Sequence, residues 1–185
     1  MLVLASASPR RQELLRNANI PFEVQPADID EDPIPNESAK SCAERLAREK
    51  AQVVAGKRPN DAVLGADTVV VIDDQILNKP ADGADAVRML RLLSGRMHQV
   101  ITGVCLAVRG EYEVASETTS VTMMEISEKE IAAYVVTGEP MDKAGAYAIQ
   151  GIASRWIPRI EGDYSNVVGL PIARVYRMLQ RVGVI

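Results

Sequence analysis

Histidine and cysteine are scarce in this sequence, and their scarcity excludes several classes of site. The 185 residues contain one histidine, His98, and two cysteines, Cys42 and Cys105. One histidine cannot build a histidine-rich metal centre, and it argues against a Ser-His-Asp triad, so we expect His98 to be structural. Because the cysteines lack CxxC or Cys/His spacing, we expect buried free thiols in a reducing compartment.

Long apolar runs, signal-peptide features and two common nucleotide-binding motifs are also lacking. No apolar run approaches a membrane span, and the first residues lack the basic and long apolar regions of a signal peptide. We therefore expect a cytoplasmic protein with no membrane partner. Neither GxxxxGK[ST] nor GxGxxG occurs, which disfavours a P-loop NTPase or a Rossmann domain. The net charge of −4 argues against nucleic-acid binding, so an anion site must use a few placed basic groups.

The composition is that of an ordinary α/β domain. The chain is 47% hydrophobic and 25% charged, and it contains no internal repeat, low-complexity tract or linker. Its length is sufficient for a substantial core. We therefore predict one domain over residues 1–185, formed as one unit or as two lobes.

The stretch Val63–Ile72 predicts a strand that is buried on both faces, because it is almost entirely apolar and ends in β-branched residues. Asp67 and Thr68 interrupt it. A carboxylate in an apolar strand is costly unless it is hydrogen-bonded, paired or next to a metal. Gly65 and Ala66 remove bulk just before it, as a ligand or another backbone would require. The alternative is a strand end at which Asp67 caps a turn.

The N-terminus predicts a strand, a loop and a helix that together favour an anion. Residues 1–5 form the strand, Ser8 suits the N-cap, and Pro9 suits the first helical position. Free N–H groups, the helix dipole and the guanidinium groups of Arg10 and Arg11 attract phosphate. The alternative is a capped surface helix with two solvated arginines.

Three further charged features accompany these segments. Asp28–Asp32 contains four acids in five residues, which is typical of a solvated loop but also suits Mg²⁺. In a helix predicted over Ser38–Ala55, Lys50 lies beside the apolar stripe and either snorkels or points into a cleft. Pro80 fixes the backbone after Lys79, which holds that lysine beside the strand ends.

The segment Asp142–Gly151 is the second informative stretch. Small residues alternate there with Lys143, Tyr147 and Gln150, so the backbone can approach a flat group while polar side chains contact its edge. A planar base held by the Gln150 amide suits that pattern. The alternative is a glycine-rich loop with scattered polar residues.

The remaining segments predict standard elements. We expect a long hairpin after His98, a strand over Trp156–Ile160, a turn over Asp163–Asn166 and a last helix with Tyr176 facing inward. A capping box at Ser127 and Glu130 predicts the start of another helix.

Eight short motifs run in a fixed order along the chain: Ser6–Arg11, Leu46–Lys50, Gly65–Thr68, Lys79–Pro80, Gly138–Pro140, Asp142–Tyr147, Ile149–Gly151 and Val168–Pro171. In these motifs the chain resembles the Maf proteins over nearly its whole length. That family consists of nucleoside triphosphate pyrophosphatases, also linked to septum formation in bacteria. Arg10 directly after Pro9, and Thr68 after Asp67, resemble the dTTP/UTP branch. The 7-methyl-GTP branch typically has an extra Trp before the arginines.

The resemblance implies an α/β fold, with an elongated mixed β-sheet flanked by helices and two lobes around a nucleotide-binding cleft, as in ITPase-like proteins. It implies a homodimer and hydrolysis of an NTP to the monophosphate and pyrophosphate with a divalent metal, Mg²⁺ or Mn²⁺. It also assigns roles by position. Asp67 matches the proton acceptor; Arg10, Thr68 and Gln150 match base-specificity positions; Ser8, Arg11, Glu31, Lys50 and Lys79 match phosphate- or metal-side positions.

The expected chemistry is attack of water at the α-phosphorus. Asp67 would deprotonate that water or hold a metal-bound one, and Glu31 would help to hold Mg²⁺. Lys50, Lys79 and the arginines would stabilise the leaving pyrophosphate. Two alternatives remain: a nucleotide-sensing regulator of cell division with little turnover, and a 7-methyl-GTP-type pyrophosphatase.

Overall fold

The computed structural model describes residues 1–32 and 34–185, which form a seven-stranded sheet flanked by helices. The strands are β1 (Leu2–Leu4), β2 (Glu23–Val24), β3 (Ala62–Ile72), β4 (Gln75–Leu77), β5 (Met97–Val108), β6 (Glu111–Thr122) and β7 (Arg159–Glu161). The helices are α1 (Pro9–Asn17), α2 (Ala39–Ala55), α3 (Gly83–Leu93), α4 (Glu128–Val136), α5 (Tyr164–Val168) and α6 (Ile172–Arg181). Three short 3₁₀ turns lie between α4 and β7.

The sheet is mixed, which confirms the predicted α/β class. Its order is β2-β1-β3-β5-β6-β7, and β4 pairs with β3 as a hairpin. The contacts of β1 with β2 and β3 are parallel, whereas β3, β5, β6 and β7 pair antiparallel. The predicted division of the domain into two lobes stays a prediction.

One edge of β3 is left open in its middle. The strand β5 pairs along nearly all of one edge, from residue 63 to residue 71. On the other edge β1 pairs with residues 62–64 and β4 pairs with residues 70–72. Among the described strands none pairs with residues 65–69 on that edge. Asp67 and Thr68 therefore lie where the sheet offers space beside a buried strand.

Helix α2 lies unusually close to the sheet because two glycines face it. A Cβ atom added to Gly65 would lie 2.1 Å from the carbonyl oxygen of Ala47, and one added to Gly103 would lie 2.2 Å from that of Ala43. The bulk missing at Gly65 therefore makes room for a helix backbone rather than for a ligand. This close seating places Lys50 of α2 beside β3.

Among the described residues, the apolar core consists of four clusters of buried side chains. The largest contains Leu90, Tyr134 and Trp156 and lies around α3 and α4. Another contains Leu4 and Leu64 and lies around β1, α1 and α6. In the described part of the chain, no helix combines the length and the apolar character needed to cross a membrane.

Several local predictions are confirmed. The Ser8 side chain caps α1, and Ser127 and Glu130 form a capping box at α4. Cys42 and Cys105 are buried free thiols, and burial raises the pKa of each to about 11.

Two predicted elements differ from the structure. The predicted turn after Asp163 is the start of α5, because the Asp163 carboxylate accepts hydrogen bonds from the amides of Ser165 and Asn166 and caps a helix. The predicted strand over 156–160 begins only at residue 159, since Pro158 cannot donate to a strand ladder. Tyr176, predicted to face inward, is 45% exposed on α6.

Candidate active site

A cavity of about 510 Å³ opens at the free edge of β3. That size is typical of a small-molecule site. All nine residues that the sequence marked as site candidates line it: Ser8, Arg10, Arg11, Glu31, Lys50, Asp67, Thr68, Lys79 and Gln150. They come from the two ends of the chain and from its centre, and the fold brings them together. Their individual roles in binding and catalysis stay predictions.

Asp67 is held at the base of the cavity by Lys50. The Lys50 Nζ atom lies 2.7 Å from the Asp67 Oδ1 atom and 2.7 Å from the Glu31 Oε1 atom. The side chains of Lys50 and Asp67 are both about one-tenth exposed. Lys50 therefore points into the cleft and does not snorkel to the surface. Asp67 is an ion-paired group within a strand and does not cap a turn.

Glu31 connects this pair to a second lysine at the cavity mouth. Its Oε2 atom lies 3.7 Å from the Nζ atom of Lys79, which is well exposed. Partial burial would raise the pKa of Glu31, but the hydrogen bond and charge of Lys50, aided by Lys79 and Arg11, bring that pKa below its usual value. Glu31 therefore stays ionised at neutral pH.

The two carboxylates are compatible with a divalent metal that is shared with a substrate. No cluster of three or more metal-ligating side chains occurs among residues 1–32 and 34–185. However, Mg²⁺ in nucleotide sites is commonly held by one or two carboxylates together with phosphate oxygens and water. Glu31 and Asp67 each contact the Lys50 ammonium through one oxygen, and the second oxygen of each carboxylate would be a donor of this kind. A bound metal would supply Lewis-acid polarisation there.

Arg11 is buried beneath the cavity and joins three segments. Its Nε donates to the Gly169 carbonyl at 2.8 Å, its Nη1 to Ser6 Oγ at 3.1 Å, and its Nη2 to Thr68 Oγ1 at 3.1 Å. Burial lowers its pKa, with the charge of Arg10 acting in the same direction. A guanidinium carries five N–H donors, so one donor on each terminal nitrogen remains for a phosphate. Arg11 is therefore an organising group as well as a candidate ligand.

The first turn of α1 forms one wall of the cavity. The Ser8 hydroxyl accepts a 3.5 Å hydrogen bond from the Arg11 amide, and free N–H groups at this end favour an anion. Arg10 extends to the opposite wall, where its Nη1 lies 3.5 Å from the Asp142 carboxylate. The N-terminal helix and the loop that carries Gln150 thus face each other across the cavity.

Gln150 lies on an irregular loop that packs closely on β3. The chain there forms 3₁₀ turns over Glu139–Asp142 and Ala144–Ala146. Gly145 adopts a φ of +70°, and a Cβ atom there would lie 2.9 Å from the side chain of Val70. Gln150 is exposed at the cavity, as expected for a group that contacts a ligand.

Similarity to known proteins agrees with this geometry. The profile of the Maf-like protein family matches residues 1–182. The chain belongs to the Maf-like protein family. It is 62% identical over 184 residues to the Koribacter versatilis protein named dTTP/UTP pyrophosphatase, covering 100% of this chain and 95% of that protein. It is 55% identical over 183 residues to the Symbiobacterium thermophilum protein of the same name, covering 98% and 94%.

The Staphylococcus aureus Ham1 protein is among the solved structures to which the chain is similar. The match has 16% sequence identity and a TM-score of 0.44, and it covers 66% of this Maf-like chain and 71% of the Ham1 chain.

Some cavity residues of this Maf-like protein were not predicted from the sequence. Ser6 and Gly169 organise Arg11, and Asn78 also lines the cavity. Ser6 and Gly169 lie in two of the ordered motifs, Ser6–Arg11 and Val168–Pro171, and this was the only indication in the sequence that they belong to the site. Their bonds to Arg11 depend on the tertiary fold and are not visible in residue spacing.

His98 supports the cavity wall from behind, as its predicted structural role requires. It is 2% exposed, and its Nε2 atom lies 2.7 Å from the hydroxyl oxygen of Tyr147. Its Nδ1 atom has no hydrogen-bond partner among the described residues. Burial lowers the pKa of His98 from 6.5 to about 4, so the imidazole is neutral at pH 7.

Protein stability should therefore depend on His98 in mildly acidic solution. Between pH 6.5 and about 4 the unfolded chain binds a proton that the folded His98 does not. The stabilisation is complete above the unfolded pKa and is lost as the pH falls through this window. From pH 7 to pH 5 the free energy of unfolding should fall by about 2 kcal/mol more in the wild type than in His98→Gln. Urea unfolding at several pH values measures this, and parallel curves would contradict it.

Proposed function

We propose that this protein hydrolyses dTTP and UTP to the corresponding monophosphates and pyrophosphate. The observation that carries the proposal is the buried Asp67–Lys50–Glu31 arrangement at the base of a nucleotide-sized cavity. The names of the Koribacter and Symbiobacterium relatives support the same reaction and substrates. The protein is accordingly a hydrolase of the nucleotide diphosphatase class.

The reaction breaks the bond between the α-phosphorus and the bridging oxygen to the β-phosphorus. A water oxygen attacks the α-phosphorus, Asp67 accepts a proton from it, and pyrophosphate leaves with the bridging oxygen. Lys50 holds the Asp67 carboxylate in place by a 2.7 Å contact. Lys79, Arg11 and the N-terminus of α1 offset the charge that grows on the leaving group.

We assign base selectivity to Arg10 and Gln150, with Thr68 in a supporting role. The Gln150 amide offers one acceptor and two donors, which suit the N3–H and the O4 of thymine or uracil. An arginine has donors only, so Arg10 favours a carbonyl oxygen over the exocyclic amine of cytosine. The Thr68 hydroxyl oxygen accepts a hydrogen bond from Arg11, so Thr68 acts by fixing the Arg11 guanidinium.

We also propose that Glu31 and Asp67 would hold a divalent metal, Mg²⁺ or Mn²⁺, together with the substrate phosphates. Removal of metal with EDTA should abolish pyrophosphate release, and added Mg²⁺ or Mn²⁺ should restore it. Full activity in EDTA would contradict the metal requirement. A homodimer and a cytoplasmic location also stay predictions.

The test is pyrophosphate release from dTTP, UTP, dCTP, dATP, dGTP and 7-methyl-GTP with Mg²⁺ or Mn²⁺. Release from dTTP and UTP with little from the others is expected. Activity confined to 7-methyl-GTP would keep the reaction and overturn the base assignment. Tight nucleotide binding without release of pyrophosphate would favour the alternative of a nucleotide-sensing regulator.

Replacing Gln150 with alanine should relax base selectivity more than it slows the best substrate. Loss of one hydrogen-bonding group typically reduces discrimination by about tenfold. The kcat/KM ratio of dTTP to dCTP measures the effect, and Gln180→Ala is the matched control because Gln180 is an exposed residue of α6. An equal decrease in kcat/KM for all nucleotides would instead indicate a structural role for Gln150.

A further inference from the structure

Two residues behind the cavity hold the backbone on both sides of Gln150. The Tyr134 hydroxyl donates to the Glu139 Oε1 atom at 2.7 Å and accepts a hydrogen bond from the Ala148 amide at 3.3 Å. The same Glu139 oxygen accepts a hydrogen bond from the Ile152 amide at 3.1 Å. The two anchored amides lie two residues before and two residues after Gln150, so its position depends on both.

This anchor is itself rigid. Tyr134 is 1% exposed, and its ring packs edge-on against Trp156 with the ring centroids 5.3 Å apart. The Glu139 carboxylate fills the space beside Gly151, where an added Cβ atom would lie 2.3 Å from its oxygen. Neither Tyr134 nor Glu139 belongs to the described residues that line the cavity.

We propose that Tyr134 and Glu139 are positioning residues that determine base selectivity by fixing the place of Gln150. They act on the loop and do not touch the substrate. The inference rests on the proposed function, because the selectivity role of Gln150 is part of that proposal. It adds two residues for which the sequence had indicated no role at the site.

The physical consequence of losing the anchor is specific to the loop. Removal of the phenol oxygen leaves the Ala148 amide without its acceptor, and a buried unpaired amide is unfavourable, so the loop shifts. Gln150 then meets the base edge in several arrangements. The catalytic pair, in contrast, is held by β3 and α2, and its Lys50–Asp67 contact stays intact.

The first test compares Tyr134→Phe with the wild type. The kcat/KM ratio of dTTP to dCTP should fall by about fivefold to tenfold, while kcat for dTTP changes less than about twofold. The control is Tyr112→Phe, which removes a tyrosine hydroxyl from β6, far from the loop. It should leave the kcat/KM ratio of dTTP to dCTP unchanged. Glu139→Gln keeps an acceptor oxygen and should retain most of the selectivity, whereas Glu139→Ala should behave like Tyr134→Phe.

A double-mutant cycle separates positioning from general destabilisation. In the Gln150→Ala background, Tyr134→Phe should cause no further change in the dTTP to dCTP ratio. An equal decrease in both backgrounds would overturn the inference, as would an unchanged ratio in Tyr134→Phe. If Tyr134→Phe does not fold, Glu139→Ala takes its place in the cycle. A wild type that releases no pyrophosphate would contradict the proposed function itself. A wild type that is selective for dTTP, with the same selectivity in Tyr134→Phe, would contradict only the role of Tyr134.

Discussion

Replacing Asp67 with asparagine should lower kcat for dTTP by about a thousandfold or more, because general base catalysis typically contributes 10²–10⁴-fold. Asparagine has nearly the same shape but cannot accept the proton of the attacking water. Binding should persist, since the arginines and the N-terminus of α1 are unchanged. Steady-state pyrophosphate release measures kcat, and calorimetric titration with a non-hydrolysable dTTP analogue measures Kd, which should stay within about fivefold.

The matched control for this substitution is Asp74→Asn. Asp74 lies in the β3–β4 turn, away from the cavity lining, with a φ of +60° that asparagine tolerates. The Asp74→Asn variant should keep the wild-type kcat. Near-wild-type hydrolysis by Asp67→Asn would show that Asp67 takes no part in the reaction.

The same variant separates the two roles that were open for Asp67. If Asp67 is mainly a metal ligand, the asparagine variant should need more Mg²⁺ or Mn²⁺, and excess metal should restore much of kcat. If Asp67 is mainly the base, excess metal should restore little, because the missing proton acceptor is not replaced. A titration of kcat against metal concentration distinguishes the two results.

The charged centre of the site was largely predictable from the sequence. Asp67 was marked because a carboxylate within an apolar strand needs a partner, and Lys50 because it lies beside the buried stripe of its helix. Each residue is conspicuous in its own segment. Their direct contact was not predictable, because they are 17 residues apart and meet only where α2 crosses the sheet.

Other parts of the site depend on tertiary pairing that local patterns do not encode. The open edge of β3 exists because β1 and β4 pair with opposite ends of the same edge. The Gly169 carbonyl reaches Arg11 across 158 positions of sequence. Tyr134 resembles any apolar residue on the inner face of a helix, and nothing in its spacing indicates that its hydroxyl anchors the loop around Gln150.

Replacing Gly65 with alanine should strongly lower the free energy of unfolding, because it displaces α2 from its close packing against the sheet. The added Cβ atom would lie 2.1 Å from the Ala47 carbonyl oxygen and 2.8 Å from the Ala51 amide nitrogen, both of them backbone atoms. Neither can move without the helix, so α2 must shift by roughly 1 Å to reach ordinary contact distances. Overpacking of this kind lowers the free energy of unfolding by about 3 kcal/mol or more. Urea unfolding followed by circular dichroism measures it.

The same shift should also affect catalysis, since α2 carries Lys50 and the sheet carries Asp67. A displacement of about 1 Å at a catalytic group can reduce the rate by about a hundredfold, so the folded fraction of Gly65→Ala should have a low kcat. Gly56→Ala is the control, because a Cβ atom there meets its nearest neighbour at 3.6 Å and the backbone is helical. It should change the free energy of unfolding by less than about 1 kcal/mol. Wild-type stability with a low kcat in Gly65→Ala would mean that the glycine serves the ligand rather than the helix, which is the alternative that the 2.1 Å approach to Ala47 argues against.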